Sequence, residues 1–278
     1  MRKTLYTLNL GNMYAPEVCD LTYPLLRYYA HKIGAEFFII TEDKFPGWPN
    51  RYNKLQIYQL AQEREDEWSI FVDSDTLIHP EMWDPTNHLP RNTVAHNGND
   101  MAGNRFRYDR FFRRDDRHIG SCTWFIIASD WCIDLFKPLD DLTFEEAIAN
   151  IFPTPSEQAP YQFALDQKGD RIRDGNGDPI KVLKTPIDPA HLIDDYTLSR
   201  NIAKFGLKFD TIMKIQERLK DPGNYLWHAY TVNPPEKAKQ ILAVLKSWAL
   251  DLFLKQHEKM IEDLKASDIW QREEVQCS

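Results

Sequence analysis

The chain has 278 residues, 42% of them hydrophobic, and a formal net charge of −8. That length can bury a sizeable core in one large domain or two small ones, and the acidic balance argues against bulk nucleic-acid binding, which leaves a basic footprint. No apolar stretch reaches the length of a membrane span, and the opening MRKTLYTLNLGNMY lacks the apolar core and small-residue cleavage site of a signal peptide.

Residues 3–10 alternate as a β-strand does, and 16–33 read as a helix with Pro16 near its start and Gly34 just past its end. A second strand follows at 36–41 (EFFIIT), a helix at 53–65 with Leu55, Ile57, Tyr58 and Leu60 on one face, and a third strand at 68–73. Strand–helix repeats of this length imply a parallel sheet with covered faces, and in such sheets ligands bind beyond the carboxyl ends of the strands. Residues 104–118 (NRFRYDRFFRRDDRH) hold six arginines among aromatics and read as a loop or short helix. An apolar strand is expected at 121–129, helical stretches at 130–136 and 143–150, a helix at 157–168, then a hairpin turning at DGNGD. Residues 194–205 read as a helix stopped by Gly206, and a long amphipathic helix is expected from Pro235 to about Ala266. The cysteines Cys19, Cys122, Cys132 and Cys277 form no C-x-x-C pair. They suit free thiols in a reducing compartment, and a cytoplasmic location is expected.

The segment WSIFVDSDTLIHP, residues 68–80, carries the strongest chemical signal. An apolar strand ends in Asp73 and Asp75, and carboxylates at such a position need a positive partner. Their hard oxygen ligands suit Mn²⁺ or Mg²⁺, which keep positions open for substrate phosphates. Haloacid-dehalogenase-type phosphatases also place D-x-D after a strand, the first Asp as nucleophile and the second as general acid. Their signature continues Gly-Thr on the first strand, whereas this chain continues Thr76-Leu77 after two earlier strands.

The segment more closely resembles the D-x-D strand of the glycosyltransferase A fold, in its glycogenin-like and galactosyltransferase-like branches, and further segments follow in the expected order. TLYTLNLGNMYAP resembles the strand and loop that hold the nucleobase, which points to Thr7, Asn9 and Tyr14. NKLQIYQL resembles the helix whose basic residue, here Lys54, faces the donor; HIGSCTWFIIAS resembles the later donor-supporting strand, with Gly120 and Ser121 in place of the usual Asn-Ser/Ala-Gly pattern. SEQAPYQFAL resembles the Asp/Glu-Gln motif beside the reactive carbon, here Glu157-Gln158, and YLWHAYT the segment whose histidine, His228, completes the metal site. The familiar Gly-x-Lys-Pro phosphate contact is missing after His228.

The resemblance covers residues 1–232, with 233–278 left as a C-terminal helical extension. It implies an α/β glycosyltransferase A fold with a Rossmann-like, mostly parallel sheet flanked by helices. It also implies transfer of a hexose from a nucleotide diphosphate sugar, a uridine one by preference, to the hydroxyl of a glycan or other acceptor. Asp73, Asp75 and His228 would hold Mn²⁺ or Mg²⁺, and Asp73 and Ser74 would face the donor. Glu157-Gln158 under the anomeric carbon implies retention of configuration, the outcome the glycogenin-like order favours, whereas Asp194 or Asp195 as general base implies inversion. Arg113 and Arg114 would clamp the acceptor or a phosphate. The C-terminal helix would pack on the catalytic domain or a partner, a second copy included, or touch a membrane peripherally. A scaffold that binds sugar nucleotides without turnover is the non-enzymatic alternative.

Overall fold

A computed structural model describes residues 2–97, 124–151, 161–163, 181–183, 189–229 and 234–248. Strand β1 (Lys3–Leu8) leads through helix α1 (Pro16–Lys32) to β2 (Glu36–Ile40). A tight 3₁₀ segment, Asn50–Gln56, then runs into α2 (Ile57–Glu63), so the expected helix at 53–65 is α-helical only in its second half. The chain continues through β3 (Trp68–Val72), β4 (Thr76–Ile78), β5 (Thr93–His96), β6 (Phe125–Ser129) and α3 (Phe144–Ala149). There follow β7 (Tyr161–Phe163), β8 (Lys181–Leu183), α4 (Ile193–Lys204), β9 (Lys208–Thr211), α5 (Ile212–Leu219), β10 (Leu226–His228) and α6 (Pro234–Ser247).

The central sheet has six strands in the order β2-β1-β3-β6-β5-β9. Its β2/β1, β1/β3 and β5/β9 pairs are parallel, and β6 runs against both neighbours. Every residue of β1 and of β3 is buried, as expected of strands covered on both faces. Alternate side chains feed opposite layers: Tyr6, Leu8, Phe71, Ile126 and Ala128 join one core, Leu5, Ile70, Val72, Phe125 and Ile127 the other. A third cluster joins Val18 and Leu25 of α1 to Ile241 and Leu245 of α6.

Two further expectations change. Residues 161–163 are a strand paired antiparallel with 181–183 rather than part of a helix, in keeping with the strand preference of Tyr and Phe after Pro160. The expected 130–136 helix is a 3₁₀ segment with a kink at Cys132. Helix α4 ends as expected, with Gly206 at φ 61°. Of the long helix expected from Pro235 to about Ala266, the described residues show α6, Pro234–Ser247, and residues 249–278 lie outside them. Cys19 and Cys132 are free and buried, and among the described residues no helix is long and apolar enough to cross a membrane.

Candidate metal and ligand centre

Consecutive strands leave β1 on opposite sides: β2 pairs with one edge and β3 with the other. Where strand order reverses this way, a crevice opens beyond the carboxyl ends of the two strands. The loops after β1 (Asn9 to Tyr14) and after β3 (Asp73 to Asp75) both leave from that end.

The loop after β3 is held rigidly. The backbone N–H of Asp73 donates to the Trp124 carbonyl at 2.9 Å, and Thr76 N–H donates to Asp73 O at 3.0 Å. Ser74 is fully buried. Its Oγ donates to Leu8 O at 3.0 Å and lies 2.9 Å from Thr7 Oγ1 and 3.0 Å from the Tyr23 hydroxyl, while Thr22 Oγ1 donates to Ser74 O at 2.6 Å. Thr7 and Ser74 therefore lock the loop to β1 and α1, with their hydroxyls occupied by each other and by the fold.

The chain after Asp75 forms β4, which pairs antiparallel with β10 so that Thr76 stands opposite His228. The Ala229 N–H donates to Asp75 O at 3.1 Å. This ladder delivers His228 to the carboxylates: its Nε2 lies 3.0 Å from Asp75 Oδ1 and 3.5 Å from Asp73 Oδ2. Trp124 stacks on the imidazole, ring centroids 5.1 Å apart and planes 10° from parallel. Asp73, Asp75 and His228 each offer a ligand atom within 4.8 Å of the others. Two carboxylate oxygens and one imidazole nitrogen form a donor set that could hold a divalent metal ion.

The surroundings concentrate charge. Lys54 is buried, with Nζ 2.8 Å from Asp194 Oδ2, 3.6 Å from Asp73 Oδ1 and 4.6 Å from the centre of the Phe71 ring. Burial opposes its charge, but Asp194 and Asp73 outweigh that and raise its pKa. Burial would raise Asp73, yet Lys54 and His228 hold its carboxyl below the usual carboxylate range. Burial would likewise lower His228, but its hydrogen bonds to Asp73 and Asp75 push it up to about 9. Tyr14 is held well above its ordinary value by burial and by the negative Asp73 and Asp75, so its phenol stays protonated and able to donate. Tyr14 N–H donates to Asn9 Oδ1 at 3.0 Å, which ties together two residues of the loop after β1.

The structure thus gathers Thr7, Asn9, Tyr14, Lys54, Asp73, Ser74, Asp75, Asp194 and His228 around one end of the sheet. Asp195 sits beside Asp194 in the first turn of α4 and is only partly buried. Gly120, Ser121, Arg113, Arg114, Glu157 and Gln158 lie outside the described residues. One residue escaped the sequence reading: Lys237 of α6, whose Nζ makes a direct ion pair with Asp75 Oδ2 and lies 5.5 Å from the centre of the Tyr14 ring.

No family model matches the chain, and no curated protein matches it. Among solved structures it is similar to the crystal structure of a glycosyltransferase involved in the glycosylation of the major capsid of PBCV-1. The two share 13% identity over 86% of this chain and 99% of that one, with a TM-score of 0.43. A likeness that distant carries no argument here.

Proposed function

We propose that the chain is a metal-dependent glycosyltransferase of the A-type fold, with residues 1–232 as catalytic domain and 233–278 as a C-terminal extension. It would move a hexose from a nucleotide diphosphate sugar, by preference a uridine one, to an acceptor hydroxyl. The observation that carries the reading is Asp73-Ser74-Asp75 at the carboxyl end of β3, closed by His228 from a ladder some 150 residues away.

Asp73, Asp75 and His228 would hold the divalent ion, which supplies positive charge to a departing nucleotide diphosphate. The protein's own groups do the rest. Ser74, clamped by Thr7, Thr22 and Tyr23, prevents the two carboxylates from drifting. Lys54 keeps Asp73 ionised and anchors Asp194, so the start of α4 and the end of β3 move as one unit. Asn9 and Tyr14 flank the crevice where a nucleobase would lie, the Tyr14 phenol as hydrogen-bond donor. With Asp194 committed to Lys54, Asp195 is the carboxylate of the pair better placed to take a proton from an acceptor in an inverting reaction. Glu157-Gln158 remains the centre of the retaining alternative, which the order of segments favours.

The deciding experiment is a panel of nucleotide sugars assayed for Mn²⁺-dependent nucleotide release, with the product anomer read by NMR for wild type, Asp195→Asn and Gln158→Ala. Transfer with retention, lost in Gln158→Ala and kept in Asp195→Asn, is expected. Inversion reassigns the base to the acidic pair. Phosphate release from simple esters, or no turnover with any donor, overturns the transferase reading.

A further inference from the structure

We propose that Lys237 is a tethered cation that holds down the affinity of the Asp73–Asp75–His228 cluster for a bare divalent ion, so that metal and an anionic diphosphate load together. The inference rests on the metal reading above.

Its first support is placement. Lys237, Ile241 and Leu245 follow one another at i, i+4 and i+8, one face of a helix. Ile241 is 0% exposed and Leu245 2%, both packed in the cluster with α1. The third member of this buried stripe is a lysine, where packing alone would choose an apolar side chain. Its ammonium turns to Asp75, which is 1% exposed, while the lysine side chain itself is 17% exposed.

The second support is the division of labour on Asp75. Oδ1 faces His228 Nε2 at 3.0 Å, towards the ligand cluster, while Lys237 takes Oδ2. Lys237 therefore leaves the histidine-facing oxygen of Asp75 open to a cation that the cluster would hold. With Asp75 1% exposed, solvent would screen a repulsion between that cation and the ammonium poorly.

The third support is the charge count. Asp73, Asp75 and Asp194, with Asp195 adding negative field at Lys54, face two lysine ammoniums and the His228 imidazole, and Arg51 adds positive field at Asp73. Lys54 is spent on Asp194 and Asp73. A divalent ion would need the neutral His228 ring, which leaves Lys237 as the cation on Asp75 whose removal would expose the cluster's negative charge to that ion. Its effect changes sign with the ligand. The ammonium repels a dication alone, yet attracts the phosphates of a metal–diphosphate pair. A fixed charge acting in these opposite senses produces positive coupling between metal and anion.

The test is calorimetric titration of Mn²⁺ into the full chain, with and without saturating uridine diphosphate, for wild type, Lys237→Met, Lys237→Arg and Asp75→Asn. Lys237→Met should bind Mn²⁺ alone at least tenfold more tightly than wild type. The gain in Mn²⁺ affinity produced by the nucleotide should shrink at least fivefold, and Lys237→Arg should match wild type. If Lys237→Met loses its cooperative thermal transition, Lys237→Gln takes its place. Unchanged or weaker Mn²⁺ binding in the neutral variant overturns the proposal and makes Lys237 a positioning residue for Asp75. Absence of Mn²⁺–nucleotide coupling in wild type overturns it without recourse to any variant. Wild type that binds no more Mn²⁺ than Asp75→Asn removes the metal reading and this proposal with it.

Discussion

Buried and half-buried carboxylates occur at both ends of the central sheet, and the company they keep is different. Where β1 and β3 begin, Asp66 accepts hydrogen bonds from the Thr4 and Tyr6 hydroxyls, with Arg2 3.6 Å away. Asp84 pairs with Lys3 and accepts from the N–H and hydroxyl of Thr86. Each of these acids is answered by its own donors. Where the same strands end, Asp73 and Asp75 are brought together with a histidine, and two lysines from distant elements compensate them. Crowding like charges raises the free energy of the fold unless a ligand draws on it. The first arrangement stabilises a structure, and the second suits a binding site.

That contrast breaks most readily at Asp75. Asp75→Asn removes one ligand oxygen's charge from the candidate metal set, and nucleotide release should fall by ~1000-fold or more while the circular-dichroism spectrum stays native. Full activity in the folded variant would place the chemistry elsewhere. Next comes Lys54→Met, which leaves Asp194 buried without its cation. Chemical denaturation should show a loss of about 3–5 kcal/mol, with Asp194→Asn added to the variant restoring part of it. A loss below ~1 kcal/mol would mean that Lys54 is not the keystone of that end of the sheet.

The histidine provides a pH test. Its folded-state pKa, about 9, lies above the ordinary value of 6.5. In metal-free protein its contribution to stability is thus fully present below pH ~6.5 and is lost as pH rises through about 9, a span worth about 3 kcal/mol. A divalent ion needs the neutral ring, so Mg²⁺ affinity should climb over the same interval, well above the range of a free imidazole. His228→Ala should flatten both profiles; a metal-free stability curve with no slope between pH 7 and 9 would refute the charged pair. At the other end, Tyr6→Phe deletes a donor to Asp66 and should cost about 1.5–3 kcal/mol while Mg²⁺ affinity is unchanged. Any shift in that affinity would erase the distinction between the two ends.

Much of this was legible in the chain itself. The periodic segments at 3–10, 16–33, 36–41 and 68–73 are local patterns, and the structure places strands or helices in each. Asp73 and Asp75 were readable because an apolar strand runs straight into them. His228 was readable only through resemblance, since its position depends on a β4–β10 pairing that no local pattern announces. Lys237 was invisible for a physical reason: on an amphipathic helix a lysine reads as part of the solvent face, and only the packing of Ile241 and Leu245 on α1 reveals that it points inward. Residues 161–163 misled because Gln and Ala around them suit a helix as well as Tyr and Phe suit a strand.

The β4–β10 ladder also sets an order of events. In a chain made from its amino terminus, Asp75 emerges long before its partner on β10, by about 8–30 s at ordinary synthesis rates of about 5–20 residues per second. During that interval the two carboxylates exist without an imidazole. Even afterwards, a one-residue slip in a three-residue ladder would turn the ring to the opposite face. The candidate ligand atoms thus come together only once the chain is made through β10 and the ladder is in register, and any metal uptake through them would report on the quality of folding.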